Sequence, residues 1–317
     1  MSHSGHDEAW REWRAALSGQ RMHHAWLLAG KRGVGKIDFA LAAARELVAE
    51  DGVRQPKDHP DILFLTHLPK NEKEEKNRDE GKPFELKRNI TVDQIREMQH
   101  RLTTRPTLGA RRAIIVFPAD DLEKSAANAL LKSLEEPPAG SFFLLVTHRP
   151  GRLLPTIRSR CRLLRFAEAP DSEVDAFLAR EAPQADAETR AMAVSAAEGS
   201  PRVALEFVEQ ELAPLHKLMR RIVQEGDPGF QLRGALAQAM GLRPARSRQL
   251  AAIDLARSVL AQEMREANRA QLPGIIEAHG ELNRLAGQAP TYNFDPALLV
   301  MEIGTLLASA AAPREIA

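Results

Sequence analysis

Cysteine is nearly absent from this 317-residue chain, in which Cys161 is the single one. One cysteine excludes an internal disulfide framework and any multi-cysteine zinc module supplied by this chain alone. Aromatic residues make up 5% of the sequence, which argues against an extended base-stacking surface. No apolar run approaches the roughly 18 residues of a membrane-spanning helix, and the polar N-terminus lacks a signal-sequence pattern. These absences favour a reducing, cytoplasmic setting with no membrane partner.

An excess of charge of one sign is also missing. The chain has 44 basic and 43 acidic residues, for a formal net charge of +1. This balance argues against a chain-wide electrostatic nucleic-acid binder, although local basic patches such as residues 101–112 remain open. The length is too great for one compact core and indicates two or three domains.

Alternating apolar and helical segments occupy the middle of the first half. Residues 113–117 and 142–147 are short apolar runs typical of buried strands, and residues 125–136 between them have a helical pattern that ends before two prolines. A strand, a helix and a strand separated by a few residues predict a parallel α/β unit.

Residues 30–36 form the sharpest physical motif of the sequence. An apolar strand at 25–29 precedes them and a helix from Ile37 to about Ala49 follows, which is the context of a phosphate-binding P-loop. Backbone N–H groups and the helix N-terminus of such a loop surround phosphates, and its lysine reaches the β- and γ-phosphates. The candidate nucleotide-binding residues are Gly30, Gly33, Gly35 and Lys36.

The residue after the loop departs from the motif. Ile37 stands where a serine or threonine ligates magnesium, and isoleucine has no oxygen to offer. Ordinary Mg-ATP hydrolysis is therefore not expected. The loop either still binds ATP or is a structural relic, and the sequence leaves both open.

Further segments are read from spacing and composition. Trp10, Trp13 and Leu17 predict a short amphipathic helix over 7–18, and Thr91 with Gln94 predicts a capping box. His23 and His24 are adjacent in an extended segment, so they point apart and do not predict a metal site. Residues 70–88 carry charges of both signs that nearly cancel, and we expect a solvated, mobile loop.

The C-terminal half is predicted to be helical. Helices are expected over 171–180, 187–197 and 201–211, with Ser200 as the N-cap of the third. The longest helix is expected near 247–270, where Ile253, Ala256, Leu260 and Met264 form one apolar stripe.

Three short sequence motifs in the α/β unit are more specific than its alternation of strands and helices. Residues 128–132 (NALLK), 134–137 (LEEP) and 159–161 (SRC) resemble the clamp-loader family of AAA+ proteins and, within it, the delta-prime subunits of bacterial DNA polymerase III. The resemblance implies an α/β P-loop AAA+ domain at 1–166, a helical lid at 167–211 and an all-α oligomerisation collar at 212–317.

The resemblance also indicates which functional residues of the family are replaced in this chain. In ATP-hydrolysing relatives an acidic pair ends the strand after the inserted region, and here those positions carry Phe117 and Pro118. Asp120 and Asp121 follow, and a shifted strand end would present them instead. Thr147 and Arg202 match the sensor-1 and sensor-2 positions. Relatives carry a four-cysteine zinc insertion after the P-loop helix, and because those cysteines are absent here, no zinc is expected.

The SRC motif of the family implies an arginine that acts on a neighbouring subunit. Arg160, flanked by Ser159 and Cys161, matches the family's arginine finger, which reaches the nucleotide of the adjacent subunit. A guanidinium suits the task because it is always charged and offers a planar fork to phosphate oxygens. Arg158 and Arg162 are alternative candidates by sequence. The alternative for Arg160 itself is a surface ion pair with no role in a neighbouring site. Cys161 has no activating partner and is expected to be a small buried residue.

The leading hypothesis is a non-hydrolysing clamp-loader subunit. The resemblance implies gamma/tau ATPase subunits and a delta subunit as partners in a hetero-pentamer that loads a sliding clamp onto primed DNA. Any polymerase activity (a nucleotidyltransferase reaction) would belong to the whole holoenzyme. The alternatives are an autonomous AAA+ ATPase of replication or repair that uses Asp120 and Asp121, and a nucleotide-sensing module. Magnesium-dependent turnover by the isolated chain would favour the first alternative, and ATP affinity without turnover the second.

Overall fold

The computed structural model describes residues 6–19, 22–50, 55–82, 84–289 and 294–311. The chain divides into two compact units, Met1–Glu168 and Ala169–Ala317. The subdivision of the second unit into a lid at 167–211 and a collar at 212–317 remains a prediction. None of the helices in the described ranges has both the length and the hydropathy of a membrane-spanning segment.

The first unit is an α/β domain. Its strands are β1 (Ala25–Ala29), β2 (Ile62–Leu65), β3 (Arg112–Val116), β4 (Ser141–Thr147) and β5 (Arg162–Arg165). Its helices are α1 (Asp7–Leu17), α2 (Lys36–Val48), α3 (Glu72–Asp79), α4 (Val92–Leu102), α5 (Lys124–Glu135) and α6 (Pro155–Arg158). Short 3₁₀ turns lie at Ala119–Asp121 and Pro150–Arg152.

The strands form a parallel five-stranded sheet in the order β2-β3-β4-β1-β5. Leu27 of β1 lies opposite Leu145 of β4 on one side and Leu163 of β5 on the other. Because β1 and β4 are parallel neighbours, their carboxyl ends meet at one edge of the sheet, where open α/β sheets bind ligands. The predicted α/β architecture is confirmed.

Alternate residues of each strand enter cores on opposite faces of the sheet. Leu27, Ile114 and Phe143 pack with residues of α4, α5 and α6. The other face holds Trp26, Leu28, Ala113, Ile115, Leu144 and Val146, together with residues of α1 and α2. Helices therefore cover both faces, and the near-continuous apolar runs of the strands follow from this.

Helix α1 has the amphipathic pattern expected of it. Trp13 is fully buried and Trp10 is 8% exposed. Trp13 meets Trp26 edge-on, with 5.4 Å between ring centroids, and Trp10 lies against Phe39 of α2. The prediction of a short helix that packs against the first domain is confirmed.

The charged segment 70–88 differs from the expectation of a mobile loop. Residues 72–79 form α3, whose N-cap Asn71 accepts a hydrogen bond from the Glu74 N–H at 3.0 Å. None of the α3 residues is buried, so the prediction of a solvated segment is confirmed and that of an irregular loop is wrong. Capping and acidic residues in the first turn favour a helix even where no apolar face exists.

Two caps were predicted correctly from sequence. The Thr91 N–H donates to Gln94 Oε1 at 3.0 Å at the start of α4. In the second unit, Ser200 Oγ accepts from the Val203 N–H at 3.4 Å, ahead of Pro201. Each cap satisfies an N–H that a helix start leaves without an intrahelical partner.

The described part of the second unit is helical. Its helices are α7 (Asp171–Glu181), α8 (Ala187–Ala197), α9 (Pro201–Glu209), α10 (Ala213–Glu225), α11 (Gln231–Met240), α12 (Arg246–Glu266), α13 (Leu272–Gln288) and α14 (Pro296–Ser309). Ile253, Ala256 and Leu260 of α12 are buried in its core, as the stripe predicts. Met264 packs at the margin of that core.

Candidate functional site

The glycine-rich turn lies between β1 and α2, at the carboxyl edge of the sheet. Gly33 and Gly35 have φ of 79° and 93°, in the left-handed region that favours glycine. A Cβ on Gly30 would lie 2.5 Å from the Phe166 carbonyl oxygen, so the backbone approach there also requires glycine. The predicted P-loop residues are therefore brought together in a phosphate-loop geometry.

Lys36 is turned into its own loop. Its Nζ donates to the carbonyl oxygen of Gly30 at 2.7 Å and also to that of Lys31, and the residue is 3% exposed. Burial lowers the pKa of Lys36 to about 8, an effect that the nearby Asp120 carboxylate partly offsets. An incoming phosphate would have to compete with these carbonyl groups for the ammonium.

His6 is a second residue on the loop, and the sequence analysis did not single it out. Its Nε2 donates to the Val34 carbonyl oxygen at 2.5 Å, and its ring meets Phe166 edge-on at 4.9 Å between centroids. A Cβ on Gly35 would lie 3.0 Å from the same Nε2. His6 precedes the predicted amphipathic helix by one residue, so its contact across 28 residues carried no local signal.

The neighbouring strand ends carry no magnesium-binding pair. Phe117 and Pro118 follow β3, where the family's acidic residues were expected, and neither side chain offers an oxygen. Asp120 lies in the next 3₁₀ turn. Its Oδ1 accepts hydrogen bonds from Thr147 Oγ1 at 2.5 Å and from the Arg149 N–H at 3.0 Å, and its Oδ2 accepts from the His148 N–H at 2.6 Å.

Asp121, the other carboxylate of the shifted-strand alternative, lies apart from these contacts. Its Oδ2 is 3.2 Å from His67 Nε2. Both oxygens of Asp120 are thus engaged by the end of β4, and Asp121 faces the segment after β2. This arrangement places Thr147, the predicted sensor-1 residue, fully buried beside Asp120.

His148 lies among the charges of this edge. Burial, followed by the positive charge of Lys36, lowers the pKa of His148 to about 4, so its imidazole is neutral at pH 7. Phe117 meets the ring edge-on at 5.8 Å. Within the described part of the chain, the buried Nδ1 of His148 has no hydrogen-bond partner.

The second candidate site surrounds Arg160, just after α6. Arg160 Nη2 is 2.7 Å from Glu135 Oε1, and Arg160 Nη1 donates to the Thr156 carbonyl oxygen at 3.0 Å. Nη1 is also 3.5 Å from Ser159 Oγ. The side chain is 35% exposed, so the ion pair that sequence analysis left open is present and the guanidinium still reaches the surface.

The structure separates Arg160 from its sequence neighbours. Arg162 is 2.8 Å from Glu12 and stacks over Trp26 at 4.9 Å, so its own domain holds it on the α1 side. Arg158 is exposed and, among the described residues, makes no side-chain hydrogen bond or ion pair. Cys161 is partly buried, and not fully buried as predicted. Desolvation raises the pKa of its thiol to about 12, which keeps the thiol protonated at pH 7.

Three further predicted positions are described by their own surroundings. Arg202 is an exposed residue of α9 in the second unit. His23 and His24 stack on each other, so the prediction that their side chains point apart is wrong: both residues precede β1 and are not strand neighbours. Their rings bond to the backbone carbonyls of Ala25 and Leu134. Over the described ranges, no three His, Cys, Asp or Glu side chains come together in a group that could hold a metal.

A parallel sheet with a glycine-rich turn between an inner strand and its helix is the arrangement of an α/β domain of the P-loop type. The family model described as "DNA polymerase III, delta subunit" matches residues 5–170, and the chain belongs to that family.

Individual relatives agree with the family. The chain is 34% identical over 205 residues to the DNA polymerase III subunit delta' of Escherichia coli strain K12, covering 60% of this chain and 56% of the relative. It is 32% identical over 203 residues to the corresponding subunit of Pseudomonas aeruginosa, covering 59% and 57%. The alignments therefore span little more than half of these relatives' lengths.

Two further likenesses are to proteins described as gamma subunits or related to them. A DNA polymerase III subunit gamma/tau of Mycobacterium tuberculosis is 31% identical over 214 residues, covering 62% of this chain and 34% of the relative. A crystal structure of a DNA polymerase III gamma subunit-related protein from Thermotoga maritima covers 95% of this chain and 99% of its own, with a TM-score of 0.49 and 19% identity.

Proposed function

We propose that this chain is the non-hydrolysing delta-prime subunit of a bacterial clamp loader. In this role it supplies Arg160 to the nucleotide site of a neighbouring ATPase subunit and helps to load a sliding clamp onto primed DNA. The observation that carries the proposal is a contrast within one domain: Ile37, Phe117 and Pro118 offer no oxygen to magnesium, whereas Arg160 keeps a surface guanidinium.

The geometry of the P-loop supports the first half of the proposal. Lys36 is engaged by carbonyl groups of its own loop, His6 bonds to the same loop, and both oxygens of Asp120 are engaged by β4. Hydrolysis needs magnesium and a group that orients the attacking water. Neither is supplied in cis, and ATP is not required as a cofactor of this chain.

The chemistry of arginine supports the second half. A guanidinium stabilises the charge that develops on a transferring phosphoryl group, and such fingers change rates by about 10³–10⁵ in known systems. Arg160 matches the family motif and its side chain is 35% exposed, whereas Arg162 lies on the α1 side, against Glu12 and Trp26.

The partners in this proposal are gamma/tau ATPase subunits and a delta subunit in a hetero-pentamer within the bacterial cytoplasm. Similarity to both delta' and gamma/tau sequences supports a place among such subunits. The second unit would act as the lid (167–211) and collar (212–317). Its helices and continuous apolar core suit a module that associates through helix packing.

The test is ATP turnover of the reconstituted loader, with native chain and with Arg160→Ala. We expect no turnover by the isolated chain and, in the assembly, a loss of at least about tenfold on Arg160→Ala. Arg162→Ala is the matched control, since its guanidinium lies over Trp26 on the α1 side of the domain, and we expect near-native turnover. An unchanged rate with Arg160→Ala would reduce the subunit to a scaffold. Magnesium-dependent, Lys36-dependent hydrolysis by the isolated chain would instead establish an autonomous ATPase.

A further inference from the structure

Two of the short sequence motifs, LEEP (residues 134–137) and SRC (residues 159–161), are in contact in the fold. Glu135 is the last residue of α5, and Arg160 follows α6 25 residues later in the sequence. Their side chains form an ion pair at 2.7 Å between Glu135 Oε1 and Arg160 Nη2. The contact joins two surface side chains, of which Glu135 is 49% exposed.

Some N–H donors of the Arg160 guanidinium are engaged within this chain, and others are free. Glu135 engages Nη2, and the Thr156 carbonyl oxygen engages Nη1 at 3.0 Å. A guanidinium has five N–H donors in a rigid fork. Nη1 also donates to Ser159 Oγ at 3.5 Å, so the hydrogens that remain for another acceptor lie on Nε and Nη2. In the described part of the chain, the Arg160 Nε makes no hydrogen bond.

We propose that Glu135 is a positioning residue that orients Arg160 toward the phosphates of the adjoining subunit. This inference rests on the proposed function of Arg160. A free arginine side chain loses rotamer entropy when it docks on a phosphate, and a guanidinium already ordered by contacts within its own subunit loses less. Glu135 acts through Arg160 and does not itself touch the nucleotide.

The placement of the pair favours positioning over a role in folding. Exposed ion pairs contribute little to stability because solvent screens them and both side chains lose freedom. Glu136, the next residue, is also exposed, and its side chain makes no hydrogen bond or ion pair among the described residues. Its carboxylate provides a matched control with the same charge at the same end of the same helix.

The experiment measures ATP turnover of the reconstituted loader with Glu135→Ala, Glu135→Gln and Glu136→Ala, each alone and with Arg160→Ala. We expect Glu135→Ala to lower kcat about fivefold with little change in the KM for ATP, since an ordered finger acts in the transition state. Glu135→Gln keeps an acceptor oxygen and should recover at least about half of the lost rate. Glu136→Ala should match the native assembly.

The double variants separate positioning from general damage. Once Arg160 is alanine, Glu135→Ala should have no further effect on kcat. The inference is overturned if Glu135→Ala matches Glu136→Ala, if it raises turnover, or if its effect adds to that of Arg160→Ala. The proposed function stands in those cases as long as Arg160→Ala itself lowers turnover. If Arg160→Ala has no effect, the finger and its positioning residue are both rejected.

Discussion

Asp120 fastens the end of β4 to the turn after β3. Thr147 Oγ1 donates to its Oδ1 at 2.5 Å, and the N–H groups of His148 and Arg149 donate to the same carboxylate at 2.6 and 3.0 Å. In a P-loop domain that hydrolyses ATP, carboxylates at this edge bind magnesium and orient water. Here the carboxylate is used to hold the domain together.

Replacement of Asp120 by alanine should therefore destabilise the first unit. Two backbone donors and a buried hydroxyl would lose their acceptor, and we expect a cost of about 2–3 kcal/mol in the free energy of unfolding. Denaturant titration would measure the change. Asp121→Ala removes only the His67 contact and should cost less than about 1 kcal/mol. Equal stability of the two variants would contradict the structural role of Asp120.

The burial of Lys36 leads to a prediction about how stability changes at alkaline pH. Burial lowers its pKa from 10.5 to about 8. The unfolded chain then binds more protons than the folded chain between these values, so the contribution of Lys36 to stability rises with pH across that window. Below pH 8 the buried ammonium is unfavourable, and Lys36→Met should stabilise the protein at pH 7 by about 2 kcal/mol.

The measurement for Lys36 is the difference in unfolding free energy between native chain and Lys36→Met at pH 7, 9 and 10.5. The difference should shrink as pH rises. Lys31→Met is the control, since Lys31 pairs with Glu168 at the surface. A Lys36→Met variant that is less stable than the native chain at pH 7 would show that the carbonyl contacts outweigh burial.

His216 leads to a prediction of the same sign, at acid pH. Burial, with a smaller effect of Arg220, lowers its pKa from 6.5 to about 4, and its buried Nε2 has no partner among the described residues. Below about pH 6.5, His216 binds a proton in the unfolded chain but remains neutral in the folded chain until about pH 4. Stability should therefore fall as pH drops from 6.5 to 4, by up to about 3 kcal/mol from this residue.

The check on His216 is a pH series of calorimetric unfolding of the second unit's transition in the whole chain. His216→Leu should flatten the acid slope, while His100→Leu, at an exposed position, should leave it unchanged. The same slope with and without His216 would mean that another group of the second unit, such as His279, whose pKa burial also lowers, accounts for the acid sensitivity.

A buried ion pair anchors α11 in the second unit. Asp227 accepts from Arg233 Nε at 3.0 Å and from the N–H groups of Leu232 and Arg233 at 3.0 and 2.9 Å. Burial by itself would raise the pKa of Asp227, but these donors hold it below its usual range. Arg233 also donates to Thr305 Oγ1 at 3.2 Å and lies 3.9 Å from the Phe230 ring centroid.

Removal of one partner of this pair should be costly. Asp227→Ala leaves a buried guanidinium uncompensated, and we expect about 3–5 kcal/mol of destabilisation. Lys217→Ala is the control, because Lys217 and Glu188 pair at the surface and should cost less than about 1 kcal/mol. Thermal unfolding of both variants measures the contrast, and similar Tm values would refute the anchoring role.

Local patterns predicted most elements because each depends on neighbours in sequence. The apolar runs of β3 and β4, the Thr91 cap and the glycines of the P-loop reflect hydrophobic burial, capping and positive φ, all of which follow from nearby residues. The charged segment was assigned wrongly because mixed charge indicates solvation but does not distinguish a loop from an exposed helix such as α3.

Contacts between distant residues could not be predicted in this way. The His6 bond to Val34, the Asp120 bond to Thr147 and the Glu135 pair with Arg160 span 28, 27 and 25 residues. No periodicity or spacing encodes such pairs, since each depends on how the strands order in the sheet and how the helices pack on it.

The sequence by itself determined which chemistry is missing. Ile37, Phe117 and Pro118 carry no magnesium ligand in any conformation, because side-chain composition decides what a residue can coordinate. It also determined that Arg160 carries a permanent charge. Only the tertiary structure decided what the remaining groups do: Lys36 bonds to its own loop, Asp120 holds β4, Arg162 binds Glu12, and Arg160 reaches the surface beside Glu135. The reason is physical, since a side chain's identity fixes its donors and acceptors but its position in the fold selects the partners they meet.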